Sequence, residues 1–201
     1  MKRPSTPERK TDDKACKAET GKSKAEWFAA IDKGGAGGRA VVGKLLQTAK
    51  VDPWWITVLS VEYEAAQKTV EKDGKPKGYS ICSTKSVAAN AAKTWKALTT
   101  SAELAKWFGS GATMEATEGG ALRDKDGVSG TVTKVRPEKA LVFTWDADWA
   151  AGSTVEVLVQ PKGDKTGLVV NHTRIQTRAD ADAVREAWSQ ALNALKTHIE
   201  G

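Results

Sequence analysis

Thr177-Arg178-Ala179-Asp180-Ala181-Asp182-Ala183-Val184-Arg185-Glu186-Ala187-Trp188-Ser189-Gln190-Ala191-Leu192-Asn193-Ala194-Leu195-Lys196-Thr197-His198-Ile199 reads as one long amphipathic helix. Val184, Trp188, Leu192, Leu195 and Ile199 recur at spacings of four, four, three and four. Ala187 and Ala191 fill the same stripe, while Asp182, Arg185, Glu186, Gln190 and Lys196 fall mostly elsewhere. Thr177, followed three residues later by Asp180, resembles a capping arrangement, and the early acidic residues suit the positive helix end. Burying five such side chains contributes on the order of 10 kcal/mol, so the helix needs a partner surface.

Working backwards, the partner surface is a series of strands. Leu168–Thr173 places Leu168, Val170 and His172 on one face and Val169, Asn171 and Thr173 on the other. Thr154–Gln160 aligns Val155, Val157 and Val159, and Ala140–Asp146 aligns Leu141, Phe143 and Trp145. Pro161 to Gly167 reads as a hairpin loop, Val128–Val135 as a strand ended by Pro137, and Asp124 to Gly127 as a turn. Thr113 to Arg123 reads as a broken pair turning at Gly119-Gly120. Before these come two short helices, 90–98 and 101–108, the second opened by a Thr100-Ser101-Ala102-Glu103 capping box, and a first strand, Tyr79 to Val87. Strands in succession with short turns imply an antiparallel meander. The fold class is therefore α+β: an antiparallel meandering sheet whose concave face is covered by the long C-terminal helix, over residues 79–201.

The front of the chain has a different texture. Residues 1–19 carry almost no large apolar side chains and read as a disordered basic arm. Residues 20–71 read as a small three-helix, all-α domain. A Ser23 to Glu26 capping box opens its first helix, with Trp27, Phe28 and Ile31 apolar. The glycine run at 34–38 reads as a hinge. A second helix follows from Arg39 to about Lys50, and Asp52-Pro53 opens a third in which Trp54, Trp55, Val58, Leu59, Val61 and Tyr63 are apolar on several sides. Residues 72–78 form a polar linker.

The net charge of +6 sits at the front: residues 1–77 hold 16 Lys/Arg and 11 Asp/Glu. A solvated tail or a phosphate contact would both account for it. Cys16 and Cys82 lack metal-ligand spacing and fit free thiols in a reducing cytoplasm. No stretch is long and apolar enough for a membrane span, and the basic Met1 to Pro7 stretch, with no apolar core behind it, argues against a secretory signal. His172 and His198 stand without ligand companions, the glycine run lacks a P-loop ending, and no serine sits in a nucleophile elbow. No catalytic residue, metal or cofactor is expected.

Residues 79–201 resemble the START-like superfamily (Bet v 1-like, or SRPBCC), whose helix-grip fold wraps a curved antiparallel sheet around a long C-terminal helix, and most closely the branch named after the activator of heat-shock-protein ATPase. The residues that carry this are Trp95-Lys96-Ala97-Leu98-Thr99, Glu103 to Phe108, Gly130-Thr131-Val132 through Val135 and Pro137, Leu141 to Trp145, Leu168 to His172, and Trp188. The first unit, from Thr20-Gly21-Lys22 to Glu64, is similar to a small helical domain that often precedes START-like domains in bacterial proteins. The resemblance implies a bacterial, cytoplasmic, non-catalytic module for a small apolar ligand. The alternatives are a co-chaperone of a heat-shock ATPase and, through the basic helical unit, a nucleic-acid-associated regulator. Strand alternation names the cavity candidates: Trp107, Phe108, Phe143, Trp145, Val157, Val170 and His172, with Trp188 from the helix. These rings either line a pocket or fill the core. His172 either orients a ligand or is a satisfied core histidine.

Overall fold

In the computed structural model of the protein, residues 1–5, 7–35 and 37–201 are described; Thr6 of the arm and Ala36 of the glycine run lie outside them. The described chain divides into two units, residues 7–79 and residues 80–201, the latter joined by the first residues of the chain.

The first unit holds four helices rather than three: α1 (Asp13–Thr20), α2 (Lys24–Lys33), α3 (Arg39–Thr48) and α4 (Pro53–Ala66). The expected disordered arm is thus helical over its second half. Asp12 caps α1 by accepting from the Ala15 amide. Glu19 accepts from the Trp55 indole N–H at 3.0 Å and pairs with Arg9, whose guanidinium lies 4.2 Å from the Trp54 ring centroid. These anchors are polar, and Cys16 enters the core of this unit with Ala15 packed against it. A reading of hydrophobic pattern does not register such fastening. The Ser23/Glu26 capping box forms in full, and Asp52 with Pro53 opens α4. α4 lies at the centre of the bundle, burying Trp55, Val58, Leu59 and Tyr63 against Trp27, Ile31, Val42 and Leu46. The expected linker is also structured: Glu71 N–H donates to Lys75 O, Gly74 takes a left-handed φ of 77°, and Val70 pairs with Pro76.

The second unit runs β1 (Tyr79–Val87), α5 (Ala91–Thr99), α6 (Ser101–Leu104), β2 (Thr113–Met114), β3 (Ala121–Arg123), β4 (Ser129–Arg136), β5 (Ala140–Trp145), β6 (Ser153–Lys162), β7 (Lys165–Ile175) and α7 (Arg178–Glu200). The seven strands form one curved antiparallel sheet in the order β1-β7-β6-β5-β4-β3-β2. Consecutive strands from β2 to β7 are neighbours, and only β1 returns to pair beside β7. Val155, Val157 and Val159 face inward with Leu168, Val170 and His172, as alternation requires. α7 lies on that face. Val184, Trp188, Leu192, Leu195 and Ile199 are all buried, with Ala181 and Ala183 before them and Ala187 and Ala191 between them. Thr177 caps it by accepting from the Asp180 amide.

Three local expectations are revised. The 161–167 segment is mostly strand, since Pro161 pairs with Thr166 and Lys162 with Lys165, which leaves only Gly163-Asp164 to turn. Gly163 at φ 63° supplies the conformation that a two-residue hairpin needs. The helix expected at 101–108 ends at Leu104 and continues as tight turns to Phe108. Its capping box does not form: the Glu103 carboxylate instead accepts from His198 and Lys106.

Candidate functional site

The inward rows of β5, β6 and β7 meet under the middle of α7. Register pairs Phe143 with Val155 and Val155 with His172, while Leu141, Val157 and Val170 form the next row. Trp145 pairs with Ser153, so the Ser153 hydroxyl sits diagonally beside His172. Trp188 descends from α7 onto the same spot.

The eight cavity candidates are all buried, and the structure sorts them into two groups. Trp145, His172 and Trp188 form a ring cluster: centroids lie 5.1 Å apart for Trp145–His172, 6.1 Å for Trp145–Trp188 and 6.4 Å for His172–Trp188. Phe143, Val157 and Val170 continue this floor. Phe108 stands between this cluster and the outside, 6.1 Å from Trp145, 6.0 Å from Trp188 and 5.6 Å from Trp107. Trp107 and Phe108, together with Gly109 and with Ala187, Gln190 and Ala191 of α7, line a half-open cleft of about 200 Å³. Trp107 is fixed there by its indole N–H, which donates to Ala97 O at 2.8 Å.

His172 is fully buried, and its hydrogen bonds settle its tautomer. The Trp188 indole can only donate, and its N–H lies 3.1 Å from Nδ1. Nδ1 therefore accepts, and the proton of the neutral ring is on Nε2. That N–H donates to Ser153 Oγ at 2.6 Å, and the Ser153 hydroxyl in turn donates to Ala150 O at 2.5 Å. Ala150 holds a left-handed φ of 56°, an uncommon conformation for a residue with a side chain. Burial pushes the His172 pKa down to about 3. The ring is thus neutral, both its nitrogens are engaged, and the serine proton points away from it. A serine nucleophile needs the opposite polarity, with the imidazole accepting the hydroxyl proton. The Ser153–His172 pair is structural.

His172 had been legible from alternation, but Ser153 had not, because the β6 strand begins one residue earlier than its valine pattern suggests. No group of His, Cys, Asp or Glu suited to hold a metal ion occurs among the described residues. Among them no helix is long and apolar enough to cross a membrane. His198 is remote from the ring cluster, paired with Glu103 at 2.5 Å, and holds that carboxyl below its ordinary range.

Comparison with known proteins agrees with this architecture. The family model described as "Activator of Hsp90 ATPase homolog 1-like protein" matches residues 88–200. The crystal structure of CalU16 from Micromonospora echinospora is 25% identical over 60% of this chain and 75% of its own, with a TM-score of 0.55. The solution structure of the Aha1 dimer from Colwellia psychrerythraea is 22% identical, covers 61% of this chain and 96% of its own, and has a TM-score of 0.55. DynU16, from the dynemicin biosynthetic locus, is 20% identical over 60% of this chain and 46% of its own, with a TM-score of 0.53. No curated protein matches. With the helix-grip architecture in place and the family model spanning more than half of its length, the chain belongs to the family of proteins like homolog 1 of the Hsp90 ATPase activator, within the START-like superfamily.

Proposed function

We propose that this is a cytoplasmic, non-catalytic binding module, and that its START-like unit holds a small apolar molecule at the cleft beside Phe108. The observation that carries this reading is the division of labour inside the grip. The histidine of the ring cluster is held neutral by burial with both ring nitrogens engaged, whereas the cleft outside Phe108 is open and floored by aromatic rings. Trp107 and Phe108 are the contact residues, and Trp145 and Trp188 stand behind them. Phe143, Val157, Val170 and His172 shape the floor without reaching the ligand. The free thiols of Cys16 and Cys82 suit a reducing compartment.

The family description supports a second reading, a co-chaperone of a heat-shock ATPase. A nucleic-acid role through the helical unit has less support. Of the basic residues on and beside α3, Arg39 is already bound to the Glu64 carboxylate and to Gly78 O.

Solvent extraction of the protein purified from its own cells, followed by mass spectrometry, tests the first reading. A recurrent small apolar species in stoichiometric amount is expected. A clean protein together with specific co-purification of a heat-shock ATPase would replace the first reading by the second.

A further inference from the structure

A second pocket opens where α5, α6 and α7 converge. It is half-open, has a volume of about 200 Å³ and shares no lining residue with the cleft. Ala97 and Ile199, both buried, give it an apolar floor, and Lys93, Lys96, Glu103 and His198 give it polar walls. Lys93 and Lys96 stand three residues apart on α5 and so share one face of that helix.

The polar groups are arranged in a way that favours an anion. The Lys93 ammonium donates to Ile199 O at 2.7 Å, which fixes it at the pocket with N–H donors to spare. Lys96 has no acceptor among the described residues. Glu103 is the carboxylate of the lining, and its charge is already met twice: His198 Nε2 lies 2.5 Å from Oε2, and Lys106 Nζ lies 3.5 Å from Oε1. These partners, His198 first, hold the Glu103 carboxyl below its ordinary range. Nε2 of His198 is thereby committed to Glu103. The second ring nitrogen, Nδ1, has no partner among the described residues, and it donates whenever the ring carries both protons.

The pocket therefore offers nitrogen donors from two helices, while its carboxylate is occupied. Its cations are lysines, which act as compact point charges, and not the flat arginine fork that matches a carboxylate. A phosphate monoester suits such donors: it brings three terminal oxygens and about −1.5 to −2 charge at pH 7. We infer that this pocket binds the phosphate group of a small monoester, with Lys93, Lys96 and Nδ1 of His198 as donors and with Ala97 and Ile199 against the carbon body of the ester. The site is independent of the reading given for the cleft, and either can fail without the other.

The test is titration of the isotopically labelled full chain with ethyl phosphate, with inorganic phosphate and with butyrate, at an ionic strength held constant with sodium chloride. NMR follows the Ala97 amide and the His198 ring. Ethyl phosphate is expected to shift both signals to saturation and to bind about tenfold or more tighter than butyrate, with inorganic phosphate several-fold weaker than the ester. Lys96→Gln is expected to weaken ethyl phosphate about tenfold, the effect of one charge-assisted bond. His198→Gln, whose amide can still donate to Glu103, is expected to do the same. Lys134→Gln, an equal loss of charge at an exposed position of β4, is expected to leave binding unchanged. Shifts that never saturate would overturn the site, as would equal weakening by Lys96→Gln and Lys134→Gln, which would mark an effect of net charge alone. Butyrate binding as tightly as ethyl phosphate would overturn the assignment to phosphate. Inorganic phosphate binding as tightly as the ester would overturn the role of Ala97 and Ile199, and unchanged binding in His198→Gln that of the imidazole.

Discussion

The indole N–H of Trp188 donates to Nδ1 of His172 at 3.1 Å, so the terminal helix and the strand beside it are joined at their most buried point by a directed polar bond. Trp188 is 1% exposed and also packs against Phe108 and Trp145. Trp188→Ala is expected to cost ~3–5 kcal/mol through the cavity it leaves. Trp188→Phe keeps most of the ring contact but strands Nδ1, and is expected to cost roughly 1–3 kcal/mol. Urea unfolding measures both; a loss under ~1 kcal/mol for the alanine variant would mean that α7 is not seated as described.

The same histidine sets a pH dependence. Its folded pKa of about 3 lies below its ordinary value of 6.5, so between these values the unfolded chain binds a proton that the folded chain refuses. Stability is therefore unaffected by this group above pH 6.5 and falls as the pH drops below it, by about 1.4 kcal/mol per unit until the folded pKa is reached. The carboxylates add their own slopes, so the comparison is with His172→Gln at the same pH values. The difference in stability between the two proteins is expected to shrink from pH 7 to pH 4. A constant difference would show that His172 is not held neutral by burial.

Gly130 in β4 lies against β5 so closely that an added Cβ would collide with the Thr144 carbonyl oxygen. Backbone cannot move aside as a flexible side chain can. Gly130→Ala is expected to destabilise the unit by roughly 1–3 kcal/mol, the usual range for overpacking. Gly43→Ala, inside α3, where the added Cβ meets only Ile56 Cγ2 at 4.0 Å, should instead stabilise its unit by roughly 0.5–1 kcal/mol. Thermal unfolding of the two variants checks the contrast, and similar behaviour would refute the close approach.

What could be read from the sequence follows the strength of periodic signals. The α7 stripe of Val184, Trp188, Leu192, Leu195 and Ile199 fixes one face by itself, and Val155, Val157 and Val159 fix another, so the grip is legible in the sequence. The site was less legible because its decisive groups are polar and non-periodic. Ser153 matters through a diagonal neighbour on β7, a contact that local spacing does not encode. α1 was missed for a related reason, since Arg9, Glu19 and Asp12 hold it in place more than apolar burial does.

The most direct measurement compares the mass bound to three proteins purified from their own cells under native conditions: the unaltered chain, Ala194→Trp and His172→Gln. Ala194 is an exposed residue of α7 at the cleft, so tryptophan there fills the cleft without entering the core. A non-covalent adduct is expected on the unaltered chain and on His172→Gln, and none on Ala194→Trp. No adduct on the unaltered chain, or one that survives Ala194→Trp and disappears with His172→Gln, would contradict the cleft as the place where this protein binds its ligand.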